Sequence, residues 1–310
     1  MKKYPWMITI IILGLFLLAG CAGQEEPQTL KIGVISDVSA VPFIIAEQQG
    51  FYEKRGLDVE IQVFKSAVDR DTALQTGNLS GAMADMLTIV FFRDAGFDVK
   101  MTSETNGNYR LITSPKLTVE DFLALKSPQI GLSSNTVIDF ATQKVAEAKA
   151  FDGRMTKVAI PQMPVRLEML RAGGLDGATL PEPLASAAIA DGGAPVGSTM
   201  DFSLYPGIFI IRQAVLDQSP KAIKNFYAAY DESVAYLNQT DSAVYYDYLV
   251  ETLGFPPILK ERFEMPEFSI AMPPDAKTFE ETAAWMKQHA LTKSDYTYEE
   301  LTDISYLPKS

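Results

Sequence analysis

The chain has 310 residues, with 27 lysines and arginines against 39 aspartates and glutamates, and a formal charge of −12. That length allows two ordinary domains with a sizeable core, and the composition is that of a globular protein without low-complexity tracts. An acidic chain with no offsetting basic patch excludes nucleic acid as a partner, and a single cysteine, Cys21, excludes an intramolecular disulfide.

In chain order, the first twenty residues stand apart. Lys2 and Lys3 precede the uncharged apolar run MITIIILGLFLLAG. A membrane span needs ~20 such residues, so this run suits the core of a signal peptide instead. It ends in Leu18-Ala19-Gly20-Cys21, which resembles the lipobox of bacterial lipoproteins. The resemblance implies cleavage before Cys21 and lipid on its thiol and amino group. Residues 1–20 are then a signal peptide, and 21–29 a lipidated cysteine with a polar tether. A lone unmodified thiol outside the cell would be a liability. The mature chain carries −14, because the leader removes two lysines and no acid. It is held at a membrane surface by lipid without spanning the membrane.

Strand and helix patterns then alternate. LKIGVIS (30–36) predicts a buried strand, and VPFIIAEQQGFYEKR (41–55) a helix with a pause near Gly50. LDVEIQVF (57–64) alternates apolar and polar residues, the mark of a strand with one solvated face. AVDRDTALQTG predicts a short helix closed by Gly77 in a left-handed cap. SGAMADM, LTIVFFRDAG and VKMTSE follow as strand, helix and strand. Repeated strand–helix–strand units imply a mainly parallel sheet with right-handed crossovers.

The plan then recurs. KIGVISD (31–37) matches QIGLSSN (129–135), with Ile32/Ile130, Gly33/Gly131 and Ser36/Ser134 coinciding. GNLSGAMADMLTIVFFRDAG (77–96) matches GGLDGATLPEPLASAAIADG (173–192), with Gly77/Gly173, Leu79/Leu175, Gly81/Gly177, Ala82/Ala178 and Gly96/Gly192 coinciding. Two blocks in one order at nearly one offset predict two α/β lobes on a common plan, the second spanning roughly 110–203.

In open α/β sheets a ligand sits beyond the carboxyl ends of the strands, where helices begin. The loops there are SDVSAVPF and SSNTVIDF. Free N–H groups at helix starts make such loops friendly to anions, which nominates Ser36, Asp37, Ser39, Ser133, Ser134, Asn135 and Thr136. The same residues also read as ordinary N-caps. A residue before proline is held extended, so Glu182 stays at the lip of a strand while Pro183 takes the first helical position. Glu182 serves as a helix cap, a ligand contact or both. Asp85 and Met86 are its counterparts in the first lobe, and Thr105 and Asn106 lie where the chain changes lobes. Phe43 either stacks on a planar ligand or belongs to the core.

IIAEQQGFYEKRGLDVEIQVF and PVRLEMLRAGGLDGATLPEPLASAAIADG resemble signature segments of extracytoplasmic solute-binding proteins of ABC importers, in the nitrate, taurine, alkanesulfonate and thiamine-precursor class. SPKAIKNFYAAYDESVAYL (219–237) and YTYEELTD (296–303) are similar to the C-terminal helices of that family. The resemblance covers nearly the whole mature chain. It implies an α/β, two-lobed periplasmic-binding-protein-like type II fold with mainly parallel sheets, a ligand cleft between the lobes and two hinge crossovers, near 105–110 and 201–207. Lobe one is then 30–109 and 204–310, and lobe two 110–203. It also implies a monomer that captures a small organic ligand for an ABC permease and its ATPase. Many members carry an acid where this chain has Ser80, which suggests that the first lobe lacks a bond at its strand start. The cysteine- or histidine-rich segments of pyrimidine-synthase relatives are also absent.

Helix starts favour sulfonate, nitrate or carboxylate, whereas Asp37, Asp85 and Glu182 favour a neutral or cationic heterocycle such as a pyrimidine. Arg70 and Arg166 could offset the acids, although arginines in such loops are usually solvated. The rival reading is an enzyme on the same fold, acting in pyrimidine or menaquinone-precursor synthesis; a third is a membrane-docked sensor. The one histidine, His289, sits in WMKQHALT without a partner, and no cluster has metal-ligand spacing. No catalytic residue, metal or cofactor is therefore expected.

Overall fold

The computed structural model describes residues 29–309, so the readings of the leader and of Cys21 lie outside the described residues. One sheet begins with β1 (Leu30–Ile35), β2 (Val59–Phe64), β3 (Gly81–Asp85) and β4 (Val99–Glu104). Its helices are α1 (Val41–Gln48), α2 (Phe51–Lys54), α3 (Ala67–Gln75) and α4 (Met86–Asp94). The expected pause is Gly50, in the left-handed region between α1 and α2. The second sheet holds β5 (Tyr109–Thr113), β6 (Gln129–Leu132), β7 (Thr156–Ala159), β8 (Gly177–Pro181) and β9 (Pro195–Ser198). Between these strands run α5 (Val119–Ala124), α6 (Val137–Ala148), α7 (Met163–Arg171) and α8 (Leu184–Ala190). The chain then returns to the first sheet as β10 (Gly207–Arg212). It continues through α9 (Gln213–Gln218), α10 (Pro220–Leu237), α11 (Tyr246–Leu253), α12 (Ala276–Gln288) and α13 (Tyr298–Leu301).

Strand order is β2-β1-β3-β10-β4 in one sheet and β7-β6-β8-β5-β9 in the other, the same layout twice. Both sheets are mixed. Four strands of each run parallel, while β10 and β5 pair antiparallel with both neighbours. Each antiparallel strand is the first one laid down after the chain leaves the other sheet. Because β4 ends at the cleft, the chain crosses there, and β5 must start at the cleft and run away from it. The same holds for β10 on the return.

The repeated residues are the ones that build this layout. Ile32 pairs with Gly81 and Gly33 with Ala82, just as Ile130 pairs with Gly177 and Gly131 with Ala178. A side chain on Gly33 would meet Leu79 Cδ1 at 2.6 Å, and one on Gly131 would meet Leu175 Cδ1 at 2.6 Å. In each lobe, then, a leucine just before the third strand packs onto the bare backbone of the first. The strand-start bond expected to be missing at Ser80 is in fact present. Lys31 N–H donates to Ser80 Oγ at 3.1 Å, as Gln129 N–H donates to Asp176 Oδ2 at 2.8 Å. A hydroxyl lone pair suffices where an acid was anticipated.

The core around the first sheet is rich in aromatics. Phe43 has ring centroids 5.1, 5.8 and 4.9 Å from Phe209, Phe226 and Tyr230, so α10 is fastened to α1 and β10. Helix α12 packs on α4 and also reaches the second lobe, with Trp285 edge-on to Phe140 at 5.5 Å and Lys144 Nζ 3.4 Å from Glu281. Among the described residues, no helix is long and apolar enough to cross a membrane.

Candidate functional site

The carboxyl ends of β1 and β3 face those of β6 and β8, and the lobes bond directly to each other there. Asp85 caps α4 with Oδ1, accepting from Leu87 N–H at 3.0 Å and Thr88 N–H at 2.9 Å. Its Oδ2 crosses the gap and accepts from Val137 N–H, the first residue of α6, at 3.2 Å. In the reverse sense, Val38 N–H donates to the Glu182 carbonyl at 2.9 Å. Further out, Gln162 Nε2 donates to Asp69 Oδ2 at 2.8 Å. Helix starts expected to be free are thus engaged: Val137 by Asp85, Ile138 by Thr136 Oγ1 at 3.2 Å, and Ser39 by Asp37 at 2.8 Å.

Beside this seam lies a cavity of about 40 Å³. Asp37, Asp85 and Thr105 line it from the first lobe, Ser133 and Thr136 from the second. All five are buried. Burial pushes the Asp37 carboxyl from 3.8 up to about 7, against the pull of its hydrogen bonds with Ser39 and of nearby Arg70. Tyr109, on the same wall, is raised well above its usual value by burial and by Asp37 and Asp85.

Arg70 and Arg166 also line the cavity, and they correct the expectation of solvated arginines: both are buried, at 3% and 0% exposure. Arg70 donates to Asp71 through Nε at 2.8 Å and Nη2 at 2.6 Å. Burial works against its charge, but Asp71 and Asp85 more than restore it, leaving its pKa raised. Arg166 bonds only to carbonyls: Ile160 from Nε at 3.0 Å and Nη2 at 2.8 Å, Thr179 from Nη1 at 2.8 Å, and Pro161 at 3.3 Å. With burial unopposed, its pKa falls to about 9. The signal for both was present in the sequence. They stand 96 residues apart, the offset of the second repeated block, and Arg166 shares a helical stripe with Met163, Leu167 and Leu170. Tyr109 carried no such signal.

The remaining nominated residues are placed elsewhere. The Ser36 hydroxyl bonds the Leu253 carbonyl at the end of α11. Ser39 is buried against Asp37, and Met86 and Phe43 are core residues at 0% and 1% exposure. Phe43 therefore takes the core alternative. Ser134 and Asn135 are exposed, with Asn135 in the left-handed region and its N–H bound to Asp139. Pro183 is the N-cap of α8, one position before the expected one, and follows a cis peptide bond. Glu182 caps α8 through Ser186 N–H at 3.0 Å and pairs with Arg110 Nη1 at 2.8 Å. It faces a second space, of about 560 Å³, beside the crossovers, together with Asn106 and Arg110. Thr105 borders both spaces. Among the described residues, no group of three or more histidines, cysteines or acids is placed to hold a metal.

A model of the NMT1-like family matches residues 23–246. A protein of Brachyspira hyodysenteriae named as an ABC transporter periplasmic binding protein is 25% identical over 245 residues, covering 69% of this chain and 69% of the relative. Among solved structures, the alkanesulfonate-binding protein SsuA of Xanthomonas axonopodis pv. citri, bound to MOPS, is similar with a TM-score of 0.76 at 19% identity, covering 89% of this chain and 98% of that one. The aliphatic sulphonate binding protein SsuA of Escherichia coli is similar with a TM-score of 0.74 at 15% identity, over 89% and 97% of the two chains. Such identities carry the fold: two lobes with a cleft between them.

Proposed function

The chain belongs to the NMT1-like family, and from that premise we propose that it is the extracytoplasmic solute-binding component of an ABC-type importer. The observation that carries the reading is the buried cavity lined from both sheets, at the seam where Asp85 and Glu182 each hold the opposite lobe. At about 40 Å³ the cavity is smaller than an organic solute, so the lobes must part to admit one and then close on it with a wider gap than here. Such a solute touches both lobes only when they are together, so its binding shifts the population toward the closed form. The name of the Brachyspira relative supports the transport role.

In this reading residues 30–109 and 204–310 act as one body and 110–203 as the other, turning about the crossovers. Asp37, Asp85, Thr105, Ser133 and Thr136 touch the solute, while the closed outer surface is offered to a permease driven by its ATPase. The solute is a small organic molecule, with heterocycles such as pyrimidines ahead of sulfonates because two acids enter the cavity. Lipid on Cys21 keeps the monomer beside the permease.

The experiment is a thermal-shift screen of the full chain against sulfonates, nitrate, pyrimidines and vitamins. A solute that binds only the folded protein raises its midpoint, and Asp37→Ala together with Thr136→Val should abolish that rise. A rise that survives both substitutions places the solute elsewhere. Separately, Cys21→Ala should release the protein from the membrane fraction; retention there overturns the anchor.

A further inference from the structure

Among the described residues, Asp85 is the one side chain at the seam whose two carboxylate oxygens serve different lobes. Oδ1 is fixed by Leu87, Thr88 and the Thr88 hydroxyl, the last at 3.2 Å. Oδ2 is left to meet Val137 N–H at the start of α6, a helix of 12 residues. The start of such a helix carries a partial positive charge and attracts anions. Here an anion is already supplied by the protein itself. The next N–H, of Ile138, is taken by Thr136 Oγ1, so α6 offers an incoming anion no free donor at these two positions. Asp85 also faces Arg70, whose charge it helps to balance.

We propose that Asp85 is the specificity-determining residue of the cleft: by occupying the start of α6 it reserves the space for solutes that bring a hydrogen-bond donor or a positive charge and turns away small anions. The proposal rests on the reading of this cleft as the solute site. With Asp85 in place the cavity wall holds Asp37 and Asp85 against Arg70 and Arg166, with Asp71 bonded behind Arg70. Removing the Asp85 charge frees the Val137 N–H at the start of α6 and leaves the charges of Arg70 and Arg166 facing Asp37 alone among the acids of the cavity wall, a balance that admits an anion.

The test titrates the purified full chain with methanesulfonate and with nitrate at matched ionic strength, by calorimetry. Wild type is expected to show no saturable binding. Asp85→Ser and Asp85→Asn both keep a residue able to cap α4, and circular dichroism checks that each is folded. Either should gain methanesulfonate binding by about tenfold or more, the scale of one charge-assisted hydrogen bond. Adding Val137→Pro removes the N–H at a position where proline is tolerated, and the gain should vanish. Wild-type binding as tight as the variants', no gain in either variant, or a gain that survives Val137→Pro overturns the proposal. Failure here is distinguishable from failure of the transport reading. An anionic nutrient that raises the wild-type midpoint, and loses this with Asp37→Ala and Thr136→Val, sinks the role of Asp85 and leaves solute capture standing.

Discussion

Arg70 and Arg166 are equivalent residues of the two lobes, buried on equivalent helices and facing one cavity, yet their charges are handled in opposite ways. The first lobe surrounds its arginine with Asp71 and Asp85, whereas the second gives its arginine only backbone carbonyls. What repeats between the lobes is the scaffold: glycine under leucine, the strand register and the bond at the strand start. What differs is the acid. The carboxylates of the first lobe reach the small cavity, while the acid of the second, Glu182, turns toward the crossovers and Arg110. A duplicated framework thus carries an unduplicated set of charges, and in the proposed function it is that difference which would select the solute.

The scaffold half of this comparison is open to the largest effect. Leu79→Ala and Leu175→Ala each remove a buried side chain from a close-packed glycine, and each should cost about 3 kcal/mol, read by denaturant unfolding. Costs differing by more than about 1 kcal/mol would mean that the two leucines are not equivalent.

The charge half is sharpened by pH. Asp37 has a carboxyl near 7 in the folded protein against 3.8 ordinarily, so the folded form holds a proton that the unfolded chain has released. Stability from this residue is therefore present at low pH and falls as pH rises from about 4 to about 7. About 2 kcal/mol of that fall should come between pH 5 and 7. Asp37→Asn should flatten the melting midpoint across this range. It will not flatten it fully, since burial and Asp275 also raise Glu104 to about 7. A profile identical to wild type would remove Asp37 from the account.

The smallest effect separates the two strand-start bonds. Ser80→Ala should cost about 0.5 kcal/mol and Asp176→Ala about 1 kcal/mol, because the carboxylate bond is charge-assisted and both sites are partly solvated. An equal or reversed order would show that hydroxyl and acid are interchangeable there.

Much of the scaffold was legible because it is local. Apolar alternation marked β2, Gly77 closed α3 at φ +81°, and the coinciding glycines and leucines marked two lobes. Part of the candidate site was legible too, since strand-to-helix junctions named Asp37, Asp85, Ser133 and Thr136, which line one cavity. The rest was hidden for physical reasons. Ser36 and Ser134 coincide in sequence, yet one hydroxyl bonds Leu253 from a helix 217 positions away while the other residue is exposed. Phe43 could be assigned to the core only once β10 and α10 had arrived beside it.

The sequence by itself determined the repeated strand–helix plan, the acidic balance and the residues that stand at the strand ends, because hydrophobic period, proline and glycine act over a few positions. Only the tertiary structure decided which charges share a cavity. Whether Asp85 caps its own helix or reaches the other lobe's, and whether Arg166 meets an acid or a carbonyl, depends on how two separately built sheets are set against each other. That placement is fixed by long-range packing and burial, and no local pattern of residues records it.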